Sequence, residues 1–181
     1  MEFILEAADE ARLASLAAEG DRDAFARLVT PHAKILAGYI AKRVGISADA
    51  DDILQDTMLS AWKSVANFDG RSSFRTWVVS LAKRRVADFY RKTGRSETVP
   101  LSENEWAYAK DIINESENRM DVKSALAHLN GDDNELVYLI FTARLSYNEI
   151  SEAIGIPAGT IKSRMAAIKM KLKKMLEGSG K

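Results

Sequence analysis

Asp52 and Asp56 stand four residues apart with Gln55 between them, inside the run Asp49-Ala50-Asp51-Asp52-Ile53-Leu54-Gln55-Asp56. On a helix this spacing puts both carboxylates on one face. Paired carboxylates can move a proton or hold a divalent cation. No nucleophile, glycine-rich phosphate loop or histidine accompanies them. The chain has no cysteine, and its two histidines are His32 and His128. That excludes disulfides and thiolate metal sites and leaves too few ligands for a His-rich zinc site. Like charges at i,i+4 cost about 0.3 kcal/mol, which a basic partner outside the chain would offset. The pair therefore reads as an electrostatic docking face for a protein. The plainer alternative is a solvated helix start, where acids suit the dipole.

A second set of residues interleaves rings with cations: Asn67, Phe68, Arg71, Ser73, Phe74, Arg75, Trp77, then Lys83, Arg84, Arg85, Phe89, Tyr90 and Arg91. Unpaired nucleobases stack on aromatic rings while a cationic groove follows the phosphates. The loop 67–73 has turn chemistry in Asn67-Phe68-Asp69-Gly70 and could build a pocket for an extruded base. Phe74, Trp77 and Phe89 read as core rather than stacking platforms; Phe68 is open between the two.

The third set lies near the C-terminus. Ser146 and Glu149 make a capping box, in which the hydroxyl accepts from the third helical amide and the carboxylate accepts from the amide of the cap residue itself. A short apolar helix follows with Ile150, Ala153 and Ile154. Gly155 permits the positive φ of a helix end, and Pro157 suits the first turn of the next helix. Ile161, Met165, Ile168, Leu172 and Met175 then recur at spacings of 4, 3, 4 and 3. The opposite side carries Thr160, Lys162, Ser163, Arg164, Lys169, Lys171 and Lys174. This is a helix–turn–helix with a basic second helix, a shape that enters a major groove. The methionines 165, 170 and 175 read as core filler.

The elements that must position these groups are almost all helical. Apolar residues recur at threes and fours over 21–44, 47–65, 73–91 and 122–141, and no sustained alternation marks a strand. Pro31 is expected to kink the helix over 21–44 or to start a new turn. Charge is sorted along the 181 residues although 26 acids balance 26 bases. Residues 45–69 carry five acids against one base, and 71–95 eight bases against one acid. Residues 96–121 carry seven acids against two bases, and 156–181 seven bases against one acid. Two basic blocks beside acidic ones suit a protein that meets a polyanion at two places. No run is long and apolar enough for a membrane span, and the acidic start Met1-Glu2-Phe3 is no export signal, so a cytoplasmic protein is expected. The expected organisation is all-α: two small helical domains, 1–95 and 120–181, joined by an acidic linker over 96–119.

Four motifs in order resemble one family, the extracytoplasmic-function (ECF) sigma factors of bacterial RNA polymerase. They are Gly20-Asp21 with Ala24-Phe25 and Leu28; Ala50-Asp51-Asp52-Ile53-Leu54-Gln55-Asp56-Thr57 with Trp62; Phe68 to Trp77; and Leu145 to Ile150 with Ile154 to Arg164. The resemblance implies a region 2-type and a region 4-type domain. It implies that Asp51, Asp52, Gln55 and Asp56 dock on the clamp of core RNA polymerase's largest subunit, with the flap a further contact. Asn67, Phe68, Arg71, Ser73, Arg75, Lys83 and Arg84 would melt and read the minus-ten promoter element. Thr160, Lys162, Ser163 and Arg164 would read the minus-thirty-five element. An anti-sigma factor would hold the protein inactive. No catalytic residue, metal or cofactor is implied. The chain departs from its relatives at Lys83-Arg84-Arg85, where many carry Asn, and at Leu129-Asn130-Gly131, where many show Leu-Pro. Two other readings compete: a ligand- or dimer-controlled repressor or activator, and a sigma mimic that titrates an anti-sigma protein. The first leaves the acidic helix and aromatic-basic loop without a role; the second has no need of Lys162, Arg164 or the 83–85 cluster.

Overall fold

The computed structural model describes residues 7–45, 47–95, 126 and 128–178. The expected linker over 96–119 lies outside the described residues. Among the described residues every regular element is helical.

Helix α1 (Ala7–Ala18) buries Leu13, Ala14 and Ala17. Asp21 then caps α2 (Arg22–Val44), its carboxylate accepting from the amides of Asp23 and Ala24, both at 2.9 Å. Helix α2 runs on through Pro31 without ending. Proline removes one backbone bond there. Burial of Leu28, His32, Ile35 and Leu36 on either side holds the helix together. Gly45, at φ 86°, closes it. Helix α3 (Ala48–Ser64) buries Ala50, Ile53, Thr57 and Ala61, a stripe spaced by threes and fours. A 3-10 turn (Val65–Asn67) and a loop lead to α4 (Phe74–Thr93). Ser73 caps α4 from within, and Glu10 of α1 caps it from without, accepting from the Phe74 amide at 3.0 Å. On α4 the buried set includes Val79, Ala82 and Tyr90, whereas Trp77 and Phe89 are only half-buried.

Asn130 caps α5 (Gly131–Val137), which passes directly into a π-helical turn (Tyr138–Thr142). The wider turn holds one residue more than an α-turn and shifts the apolar phase. Leu139 is buried while Phe141, part of the expected apolar stripe, is 62% exposed. Helix α6 (Tyr147–Ile154) carries the complete Ser146–Glu149 capping box and ends at Gly155, φ 74°. Helix α7 (Ala158–Gly178) buries Ile161, Met165 and Ile168. Met170 is 64% exposed, so the methionines do not form one core stripe.

Helices α1 to α4 form one bundle and α5 to α7 a smaller unit. The buried apolar residues of both form one continuous cluster, with α5 lying on α2 and α6 on α4.

Candidate functional site

Helix α3 turns its apolar stripe inward, which leaves Asp51, Asp52, Gln55 and Asp56 exposed on the outer side. Among the described residues none of these three aspartates makes an ion pair, whereas Asp49, nearby, pairs with Arg95 at 3.2 Å. Leu59, one turn beyond Asp56, is 54% exposed, so an apolar spot ends the acidic row. The row can attract a cationic surface and the leucine can seat on it.

The loop between α3 and α4 is held by Asp69, which accepts from the Arg71 amide at 3.1 Å and pairs with its guanidinium at 2.9 Å. Asn67 and Arg71 are exposed. Phe68 is half-buried and packs on Phe74 and Trp77, with ring centroids 5.3 and 5.6 Å apart. Phe74 is fully buried, as the sequence suggests for a core ring. Between α1 and this loop lies an open cleft of about 290 Å3, lined by small residues of α1 and by Phe68, Asp69 and Gly70.

The remaining cations of α4 are divided. Arg84 is exposed. Arg75 and Lys83 are half-buried beneath the C-terminal unit. Arg75 donates to the Ala143 carbonyl at 2.9 Å, and Lys83 to the Ile154 carbonyl at 2.7 Å. Ser73 donates to the Glu149 carboxylate at 3.1 Å, and Thr76 does so at 3.3 Å. Thus Ser73, Arg75 and Lys83, grouped from the sequence with the loop residues, are drawn instead to the partner unit.

Sequence reasoning did not find the groups on the other side of this contact. Glu149 serves its own helix through Ser146 and α4 through Ser73 and Thr76. Burial pushes its carboxyl up, but the hydrogen bonds from Ser146, Ser73 and Thr76 outweigh this and hold it below its ordinary value. Tyr39 donates to Glu135 at 2.6 Å, and Arg43 donates to Glu135 at 3.1 Å and to Asp132 at 3.2 Å. Tyr138 donates to the Ile35 carbonyl at 2.9 Å and lies over Gly38. A Cβ at Gly38 would run into the phenol oxygen and come within 3.0 Å of its ring carbon. Glycine in a helix interior gave the only signal, and it is a weak one.

On α7, Thr160, Lys162 and Ser163 are exposed and Arg164 is half-buried. The Ser163 hydroxyl donates to the Thr160 carbonyl at 2.9 Å. The first turns of this helix therefore offer a polar, cationic face. Among the described residues no group of His, Cys, Asp or Glu is placed to hold a metal ion, and no helix is long and apolar enough to cross a membrane.

Comparison with known proteins points one way. The Sigma-70 region 2 family matches residues 28–96, and the Sigma-70, region 4 family matches residues 125–174. The chain is 30% identical to the RNA polymerase sigma factor NccH of Alcaligenes xylosoxydans, with 94% of this chain and 96% of that one covered. It is 30% identical to the ECF RNA polymerase sigma factor RpoE of Cereibacter sphaeroides, over 80% and 82% of the two chains. In fold it is similar to CnrH, solved in complex with the cytosolic domain of CnrY: TM-score 0.66, 24% identity, 94% and 98% covered. It is also similar to the sigma factor RpoE of Bartonella quintana, solved with the anti-sigma factor NepR: TM-score 0.58, 25% identity, 84% and 94% covered.

Proposed function

The chain belongs to the ECF sigma factors of bacterial RNA polymerase, which direct promoter recognition and transcription initiation, and from that premise we propose which of its surfaces do the work. The acidic row on α3 (Asp51, Asp52, Gln55 and Asp56) docks on the basic clamp of core polymerase, with Leu59 seated beside it. Asn67, Phe68, Arg71 and Arg84, joined by Ser73, Arg75 and Lys83 once these are free, melt and read the minus-ten element. The cleft beside Phe68 receives an extruded base, at the cost of a few kcal/mol of unstacking. Thr160, Lys162, Ser163 and Arg164 on α7 read the minus-thirty-five element in duplex form, with lysines further along meeting phosphates. The N-terminal domain spans 1–95 and the C-terminal one 120–181, with 96–119 between them. The polymerase performs the chemistry and this chain supplies none. The sigma factors solved with CnrY and NepR support control by an anti-sigma partner.

The observation that carries the reading is the exposed carboxylate row of α3, which makes no ion pair among the described residues. Surface acids left this way gain most from a cationic partner. The test is transcription over fragments of the source genome with purified core polymerase. Promoter-specific initiation is expected from core plus this chain and from neither alone. Reversing Asp52→Lys and Asp56→Lys together should weaken core binding at least about tenfold with unchanged far-ultraviolet dichroism. Unchanged core affinity would remove the docking assignment, and no initiation on any fragment would sink the reading as a whole.

A further inference from the structure

Between the π-helical turn and α6 the chain reverses through Ala143, Arg144 and Leu145. The Ala143 amide donates to the Tyr138 carbonyl and the Leu145 amide to the Leu139 carbonyl, both at 3.0 Å. The second bond wraps round residue 144, and a helix that ends this way needs a left-handed residue there. Glycine takes that conformation freely, whereas it pushes the Cβ of any other residue toward a carbonyl oxygen. Yet the residue is Arg144, at φ 54°. Every other described residue with a positive φ is a glycine.

The strain is fixed in place, and nothing among the described residues offsets it. Ala143 and Leu145 are buried on either side, so neither flank lets the turn relax. Arg144 itself is exposed, and among the described residues it makes no hydrogen bond, ion pair or ring contact. A glycine would hold the same two backbone bonds with less strain. An unfavourable conformation kept without an internal partner points to a role outside the chain. Its place in the fold narrows that role. Arg144 stands two residues ahead of the Ser146 cap, where the chain enters α6, the first helix of the helix–turn–helix. In that motif the second helix lies in the major groove while the first crosses the sugar-phosphate backbone. A planar guanidinium at that edge can grip two oxygens of one phosphate.

We propose that Arg144 is a phosphate clamp for the minus-thirty-five duplex: the strained turn holds a free guanidinium against the DNA backbone beside the groove that α7 enters, and so fixes the register in which Thr160, Lys162, Ser163 and Arg164 meet the bases. The proposal rests on the assignment of α7 to that duplex.

The probe is a labelled duplex of about 25 base pairs that carries the upstream half of a promoter found by the transcription test and stops short of its minus-ten element. Holoenzyme assembled from core polymerase and the full chain is titrated onto it across a salt series. One lost phosphate contact lowers the slope of log affinity against log salt by about 0.9. Arg144→Gly should show that fall and bind at least about threefold more weakly at about 0.1 M salt. The loss should be equal on a duplex whose element is scrambled, because a phosphate carries no sequence. Arg144→Lys, which keeps the charge, should keep the slope. Thermal melts of the free chain should place Arg144→Gly about 2 °C above the unaltered protein, since its turn is relieved. Weaker binding by a more stable chain cannot come from misfolding. Unchanged affinity and slope in Arg144→Gly, or a loss confined to one base sequence or to core binding, would overturn the clamp. A lower melting temperature would overturn the strain on which it stands. Lys162→Ala with Arg164→Ala tests the underlying assignment separately. Unchanged affinity in that pair would remove the C-terminal unit from the duplex and the clamp with it, whereas a loss there beside no change in Arg144→Gly would remove the clamp alone.

Discussion

His32 sits 4% exposed against Phe74, and neither ring nitrogen has a hydrogen-bond partner among the described residues. Burial, with the Arg75 guanidinium adding to it, lowers its pKa to about 4 from 6.5. Glu10 lies 3.9 Å away, which is not a hydrogen bond, and with the ring neutral it is not an ion pair either. A depressed histidine leaves the unfolded chain holding more protons between pH 6.5 and 4. Stability from this residue is therefore complete above pH 6.5 and falls as pH drops toward 4. Replacing His32→Leu should flatten that slope and raise stability near pH 5; urea melts from pH 7 to 4.5 measure it, and an unchanged slope would place the titration elsewhere. Glu149 adds a second acid-sensitive contribution lower down. Its depressed carboxyl stabilises above its unfolded value, near 4.3, and that gain is lost as pH falls through the folded value. The acidic row on α3 was legible in the sequence because exposed charges keep their one-dimensional spacing. Burial of His32 was not, since a lone histidine on an apolar stripe carries no sign of what surrounds it.

At the level of elements, signals confined to neighbouring residues survived folding. The capping box at Ser146 and the stop at Gly155 sit where the sequence places them. Gly155 has φ 74° and open space where a Cβ would point. Changing Gly155→Ala should therefore cost about 1 kcal/mol through backbone strain alone, and Ser146→Ala a similar amount through the lost cap. Denaturant melts of each variant give the comparison, and a cost near zero at Gly155 would mean the turn between α6 and α7 relaxes. Periodicity failed where the period itself changed. A single π-helical turn put Phe141 outside. Pro31 starts no new helix, because packing on both sides of it outweighs one missing bond.

For the whole molecule, the partners in the contact between the two units stand 68 to 103 residues apart in the chain. No window of sequence contains both halves of such a contact, so the two helical domains were legible in the sequence and the continuous apolar cluster across them was not. Packing continuous across two units couples their unfolding. Calorimetry should show one transition for the unaltered chain, resolving into two for Gly38→Leu as each unit melts by itself. Two transitions in the unaltered chain would mean the units do not support each other.

The way Arg75 and Lys83 spend their charge on helix ends has a consequence for traffic inside a cell. A genome offers on the order of 10^6 to 10^9 sites to any bare cationic groove, and a factor with its hands open would be soaked up by that reservoir before meeting an enzyme. Under the proposed assignments, two cations turned inward and carboxylates left outward would give bulk DNA little to hold and would still leave core polymerase its handle.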